Sequence, residues 1–483
     1  MIRRFQILFL GLILLFAFVV RLYRFDNPVA DWHSWRQTDT SAVSRTFAVS
    51  GFDLLHPKYE DLSNVPSGHE NPNGYRFVEF PIYNVFQAGL FDIFHVLTIE
   101  QWGRIVSIFA ILGSIVFIFL LVRKYFDIST ALFSSFFFAF LPYSIYYGRT
   151  ILPDELMVTA GLGGLYFFDA WVEKKTQDKV FSIKYWILFF LSVLFCSSAL
   201  LLKPFAIFLL LPIGYLAIHN LGIKAFLNWK LWVFASLSIL PLLMWRMWMQ
   251  QYPEGIPVSG WLLNGGNIRF KGAFFYWIFA ERISKLILGY FGIFLLLAGV
   301  LKQKKDSGYF FFLSILISSI LYLFVVARGN VQHDYYQILI IPSISIFLGR
   351  GVSFLLSFED RANKTIGKAL ILFCVLFMFA LSWFYVRDFF NINNRSIIEA
   401  GKKADEILPK DAKVIAPYDG STVFLYMTNR QGWPVFTTSI ENLIKKGADF
   451  LVIADPTPND FSGFGKKYQA VASSKTYLIL KLR

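Results

Sequence analysis

Four candidate carboxylates, and Glu155 beside the last of them, stand in polar blocks of an otherwise apolar chain. Asp31 and Asp39 lie in Asp31-Trp32-His33-Ser34-Trp35-Arg36-Gln37-Thr38-Asp39-Thr40, Glu79 precedes Phe80-Pro81, and Asp154 lies in Arg149-Thr150-Ile151-Leu152-Pro153-Asp154-Glu155. A carboxylate is costly near hydrocarbon, so it faces water or a site. The spacing of Asp31 and Asp39, about two helical turns, brings both to one face of a helix lying on the membrane. A carboxylate there accepts a proton from an attacking hydroxyl, the general-base role. The plainer role is a helix N-cap or an ion pair with Arg36 or Arg45. Glu79 opens an apolar helical stretch in which Pro81 is tolerated in the first turn. It is either a charge favoured by the helix dipole or a ligand of a divalent metal or a phosphate. Asp154 either caps the next helix or belongs to the site.

The cations suit a phosphate. Arg149 offers a planar donor fork, Lys203 a point charge unless it merely snorkels, and Arg328 opens the dense loop Arg328–Gln337. In that loop His333 and Tyr336 are the candidate substrate contacts. Trp32 and Trp35 read as interfacial anchors, while His33 stays open. No zinc spacing, nucleotide-phosphate loop, dinucleotide motif or nucleophile elbow occurs. On a chain this apolar, that points to a lipid-borne substrate.

The elements that must position these residues are mostly membrane helices. The 483 residues are 56% hydrophobic and 16% charged, with mean hydropathy +0.53. The 55 Phe, 13 Trp and 23 Tyr fit lipid-facing helices with aromatic belts. The net charge of +14 comes largely from short loops between spans, which is positive-inside bias rather than a nucleic-acid surface. Cys196 and Cys374 fall within spans as small apolar fillers. The first apolar stretch lacks a convincing cleavage site, so it reads as an uncleaved span.

About eleven spans result, near 5–22, 106–122, 130–147, 156–172, 185–202, 204–218, 231–247, 286–301, 310–326, 338–356 and 370–386. Inner loops carry Arg123 and Lys124; Lys174, Lys175, Lys179 and Lys184; Lys224 and Lys230; Lys302, Lys304 and Lys305; and Arg361, Lys364 and Lys368. This alternation puts the N-terminus in the cytoplasm and every carboxylate cluster outside. The expected domains are a transmembrane domain, 1–386, whose first external loop, 23–105, holds interfacial helices including 77–97, and an extracytoplasmic α/β domain, 387–483. Strands are expected at 412–416, 450–454 and 477–482, and helices at 397–407 and 439–446.

Trp35–Thr40, Glu79-Phe80-Pro81-Ile82-Tyr83, Arg149–Asp154 and His333-Asp334-Tyr335-Tyr336 together resemble the bacterial family 39 glycosyltransferases. These are relatives of the protein O-mannosyltransferases and of the aminoarabinose transferases acting on lipid A. The resemblance implies the GT-C fold, a polyprenyl-phosphate-sugar donor and inversion at the anomeric carbon. It also implies a first-loop acid as base and a functional acid between the third and fourth spans. Arg36-Gln37 stands where the relatives have Asp-Glu, so the base role passes to Asp39, with Asp31 beside it; Asp154 takes the other role. Phe80 replaces the Lys of the aminoarabinose transferases, which leaves their phosphate contact, and with it their donor, open. The expectation is a glycosyltransferase of a bacterial cytoplasmic membrane acting on an extracytoplasmic lipid, glycan or protein. A divalent metal is the only cofactor the residues suggest. The alternative, a lipid or glycolipid flippase without chemistry, predicts polar groups at mid-bilayer in paired repeats; this chain gathers its carboxylates at one edge, shows no such repeat, and has its main in-span charges, Arg21, Asp169, Arg246 and Arg350, mostly toward span ends.

Overall fold

The computed structural model describes residues 2–176, 182–301 and 306–483. Lys179, Lys302, Lys304 and Lys305, and the side chain of Lys175, lie outside the described residues. Among those described, seven helices are long and apolar enough to cross a membrane, or eight if the bent pair Gly272–Ile287 and Gly292–Leu301 is one span. The other expected stretches are helical too, but depart from a plain span for local reasons. The first is helix Ile2–Arg21, whose apolar part is Gln6–Arg21. The third is divided at Leu141 into Ile128–Phe140 and Pro142–Tyr147, because proline has no N–H to continue the ladder. The fourth, Asp154–Thr176, carries Asp154, Glu155, Asp169 and Glu173. The eighth turns by 109° between Ile287 and Gly292.

Close contacts divide the chain into two units. The first comprises Met1–Tyr23, Ile105–Trp245 and Ser259–Asp388 and holds most of the apolar helices. Lipid gives helices little hydrophobic drive to associate, so they pack through small residues. A Cβ on Gly299 would strike the Phe347 carbonyl, and one on Gly351 the Leu295 carbonyl, which lets helices Gly292–Leu301 and Ile341–Leu356 meet backbone to backbone. Cys196 and Cys374 are buried and unbridged.

The second unit comprises Arg24–Arg104, Arg246–Val258 and Phe389–Arg483, joining the first loop and the tail. Its sheet has the order β2-β1-β3-β5-β4, with β1 (Val414–Ile415), β2 (Gly432–Trp433), β3 (Phe450–Ala454), β4 (Gln469–Ser473) and β5 (Tyr477–Lys481). β1 is parallel to β2 and β3, whereas β5 is antiparallel to β3 and β4. Side chains alternate across a strand, so Val414, Val452 and Ile479 pack beneath helix Ser396–Ile407 while Ile415, Leu451 and Leu480 enter a second core. The first loop is built into both cores: Ala30 enters one and Leu62 the other. Beyond β2, Leu62 N–H donates to the Gly432 carbonyl (2.8 Å) and Gly432 N–H to Glu60 (3.0 Å).

Helices Ser34–Ser50 and Ile82–Ile93 lie in the first loop, the second inside the expected 77–97. The tail helices expected at 397–407 and 439–446 are Ser396–Ile407 and Ile440–Lys445. β2, β4 and helices Val423–Met427 and Pro458–Lys467 add to the expected elements.

Candidate active site

In the first unit the site begins with a helix end. Pro153 precedes helix Asp154–Thr176, so Asp154 sits at the positive end of its dipole. Lys203 is the extended residue that ends helix Ile183–Leu202, held out of helical geometry by Pro204. The two meet: Lys203 Nζ lies 2.7 Å from Asp154 Oδ1. On its other sides the ammonium faces the rings of Tyr335 and Tyr336, at 5.2 and 5.3 Å, a cation–π arrangement. His333 stacks on both rings. Asp154 is buried, and its Oδ2 has no hydrogen-bond partner among the described residues. A buried carboxylate oxygen without a partner is costly, so this oxygen is suited to receive a ligand hydroxyl.

Helix Pro142–Tyr147 supplies the second half of this cluster. Tyr143 and Tyr147, one turn apart and on one face, donate to the Asp334 carbonyl (2.6 Å) and to Asp334 Oδ1 (2.5 Å). Arg282 Nη1 stands 3.5 Å from Asp334 Oδ2, so the turn carrying Tyr335 and Tyr336 is fixed from three directions. Arg149 is buried, with its guanidinium 5.8 Å from the Tyr146 ring. Arg328 is half-buried on helix Ala327–Gln332. Its guanidinium has no hydrogen bond or ion pair among the described residues.

The second unit holds the other carboxylates. Helix Ser34–Ser50 begins after His33, whose φ of 52° reverses the chain. Asp31 therefore precedes the helix and does not share a helical face with Asp39, a correction to the two-turn spacing. Asp31 Oδ1 accepts from Gln37 Nε2 at 2.8 Å. Asp39 pairs with neither Arg36 nor Arg45: Oδ2 takes Arg76 Nη2 at 2.5 Å, and Oδ1 takes the Thr422 hydroxyl at 2.6 Å. Arg36 instead pairs with Glu79. Arg45 lies 3.6 Å from Glu60 and over the Tyr426 ring. Burial pushes the Glu60 carboxyl up to about 7 against the pull of Arg45. Asp61, also buried, rises to about 6 despite the Ser63 N–H bonded to it.

No cluster of three or more His, Cys, Asp or Glu side chains suited to a metal occurs among the described residues. Glu79 is spoken for by the Arg36 guanidinium, so the donors beside it do not fit a divalent ion.

The structure thus brings together Asp154, Lys203, His333 and Tyr336. Asp31, Glu79 and Asp39 belong to the second unit. Sequence reasoning missed Arg76, Thr422, Arg282 and the tyrosines of helix Pro142–Tyr147. Only the last left a signal, the spacing of Tyr143 and Tyr147.

Residues 79–248 match the family described as dolichyl-phosphate-mannose-protein mannosyltransferase. Among solved structures, ArnT from Cupriavidus metallidurans bound to undecaprenyl phosphate superposes with a TM-score of 0.63 at 12% identity, covering 98% of this chain and 97% of that one. At this identity the likeness shows a shared fold, that of the solved ArnT, over nearly the whole chain. The apo form of the same ArnT gives 0.61 at 13% identity, covering 99% and 98%. The Archaeoglobus fulgidus oligosaccharyltransferase AglB, with an inhibitory peptide and a dolichol-phosphate, gives 0.57 at 10% identity, covering 94% of this chain and 70% of AglB. No curated protein sequence matches closely enough to add to these.

Proposed function

We propose that this transferase moves a sugar from a polyprenyl phosphate to a hydroxyl of an extracytoplasmic acceptor, at a bacterial cytoplasmic membrane, with its N-terminus inside and its tail outside. The observation that carries this reading is the buried Asp154–Lys203 pair with one carboxylate oxygen left open, in a cluster built from helix ends and tyrosines. It is supported by the lipid phosphates in the solved ArnT and AglB complexes.

The acceptor oxygen attacks the anomeric carbon, the bond from that carbon to the phosphate oxygen breaks, and the phosphate leaves with the electron pair. Asp154 Oδ2 takes the hydroxyl proton. Lys203, 2.7 Å from the other oxygen, holds that carboxylate in place. Arg328, with Arg149 as the second candidate, meets the charge growing on the phosphate, and such preorganised donors act strongly where water is excluded. Asp39, with both oxygens engaged, is assigned to positioning rather than proton transfer.

Each methylene in apolar contact contributes about 0.8 kcal/mol, so a prenyl tail among Phe-rich helices outweighs a water-soluble headgroup. Purified protein in detergent, free of other transferases, is expected to consume a polyprenyl-phosphate sugar and to ignore the matching nucleotide sugar. Arg328→Ala should raise the donor KM more than the acceptor KM. Direct use of a nucleotide sugar would overturn the lipid-donor reading. For orientation, a cysteine placed at Gly420 should react with an impermeant reagent on cells whose inner membrane is intact; reaction only after its lysis reverses the topology.

A further inference from the structure

A cleft of about 240 Å³ opens within the second unit, where the approach to helix Ser34–Ser50 meets the tail. The rings of Trp32, Trp35 and Tyr418 line it, together with His33, Asn393 and Ser421. No Asp, Glu, Lys or Arg is among its lining residues. Its walls are tied in place. Trp32 stacks on Phe389, with centroids 5.0 Å apart and planes at 12°, and its backbone N–H donates to the Phe389 carbonyl. Asn393 donates from its backbone to Ala30 and from its amide to the Asp31 carbonyl, at 2.9 Å each. Trp35 and Tyr418 pack against the core under helix Ser396–Ile407. His33 holds a left-handed backbone, a conformation that costs energy in a non-glycine residue and concentrates at functional sites. Trp32 nevertheless remains 39% exposed; an interfacial anchor alone does not require a rigid, polar-edged cleft beside it.

Aromatic faces, hydroxyl, amide and imidazole edges, and no charge make a surface for a neutral polyhydroxylated ring. The C–H face of a pyranose lies on an indole or phenol ring, and its hydroxyls meet the polar edge. A phosphate or carboxylate would be desolvated there without a cation. The volume lies below the ~300–1,000 Å³ of clefts that enclose drug-sized ligands, so it admits one ring rather than a chain. We infer that this cleft binds a neutral sugar ring of the acceptor, held by the first loop and the tail together. The inference rests on the transferase reading for the word acceptor; the binding itself does not.

The test uses full-length protein and a panel of methyl hexopyranosides at millimolar concentration, with methyl glucuronide and glucose 6-phosphate as charged counterparts. Binding is read by saturation-transfer NMR and quenching of tryptophan emission. At least one neutral glycoside should bind and the charged ones should not. Ser421→Trp, which fills the cleft, and Tyr418→Ala, which removes a wall, should each weaken binding at least tenfold, and the thermal melt of Ser421→Trp should stay near that of the wild type. In turnover assays the bound glycoside should compete with acceptor and leave the donor KM unchanged. Absence of neutral-glycoside binding by the wild type, or binding that both variants leave intact, overturns the inference. Competition against donor instead assigns the cleft to the donor sugar and overturns the acceptor role. Glycoside binding without any consumption of a lipid-linked donor would leave the cleft standing and sink the transferase mechanism, so the two failures are distinguishable.

Discussion

Asp154 and Asp39 are both buried acids paired with a cation, yet their surroundings differ in one respect. Asp154 gives one oxygen to Lys203 and keeps the other unpartnered among the described residues. Asp39 gives one oxygen to Arg76 and the other to Thr422, and so links the first-loop helix both to its own loop and to the tail. The difference teaches that two acids in equally good motifs can be engaged quite differently, and on the mechanism proposed above only the open one moves a proton. A carboxylate with both oxygens occupied is a clamp, while one with an open oxygen and an adjacent fixed cation is prepared for chemistry.

The sharpest way to break this comparison is to neutralise each acid in turn. Asp154→Asn should lower turnover by about a hundredfold or more, the scale of general acid–base loss, with protein that still inserts and melts cooperatively. Turnover near that of the wild type would remove Asp154 from the chemistry. Asp39→Asn should show the opposite pattern. Leaving Arg76 buried and unpaired costs about 3–5 kcal/mol, so the midpoint of unfolding should fall while turnover per folded molecule stays within about tenfold of wild type, less than the loss of a general base. An Asp39→Asn protein of normal stability that has lost catalysis would return the base to the first loop.

Two smaller effects sharpen the contrast. Tyr147→Phe deletes a hydrogen bond to the Asp334 carboxylate, worth about 1.5–3 kcal/mol for a charged acceptor. It should loosen the Tyr335–Tyr336 turn, seen as a lower melting temperature and a several-fold higher donor KM; unchanged values for both would show that Arg282 and Tyr143 suffice. The smallest effect is a pH dependence confined to the second unit. Glu60 titrates at about 7 when folded against an ordinary 4.5, so between those values the folded state binds more protons than the unfolded one. Stability is then greatest on the acid side and falls as pH rises through this window, with Asp61 adding to the fall between 3.8 and about 6. Hydrogen exchange at Leu62 and Gly432 should be slower at pH 5 than at pH 8 after correction for intrinsic rates, and Glu60→Gln should flatten the difference. A flat wild-type profile would mean that Arg45 cancels the burial of Glu60.

Much of the architecture was legible because it rests on local pattern. Long Phe- and Leu-rich runs became helices, and the short apolar runs Phe450–Ala454 and Tyr477–Lys481 became strands buried on both faces at their centres. What escaped was short or depended on partners. β2 is two residues long and exists because Glu60–Leu62 and Val414 lie on either side of it. Helix Pro458–Lys467 had a readable start in Thr457, Pro458 and Asp460, a capping box with proline in the first turn, but its apolar face is short, with Phe464 and the following Tyr468 packing on the second core. The gathering of Asp154, Lys203, His333 and Tyr336 was legible as chemistry from motif residues, but their mutual contacts were not. Lys203 looked like an open cation and is in fact occupied.

The sequence by itself determined that this chain lives in a membrane, that its polar residues fall in a few blocks, and which residue types each block offers, because hydropathy and helix periodicity are properties of neighbours along the chain. Only the tertiary structure decided which acid is clamped and which is open. Arg76 reaches Asp39 from a non-helical loop and Thr422 reaches it from the far end of the chain, and no periodicity records a pairing across that separation. Burial, which sets both the cost of an unpaired oxygen and the titration of Glu60, exists only once those distant segments have packed together.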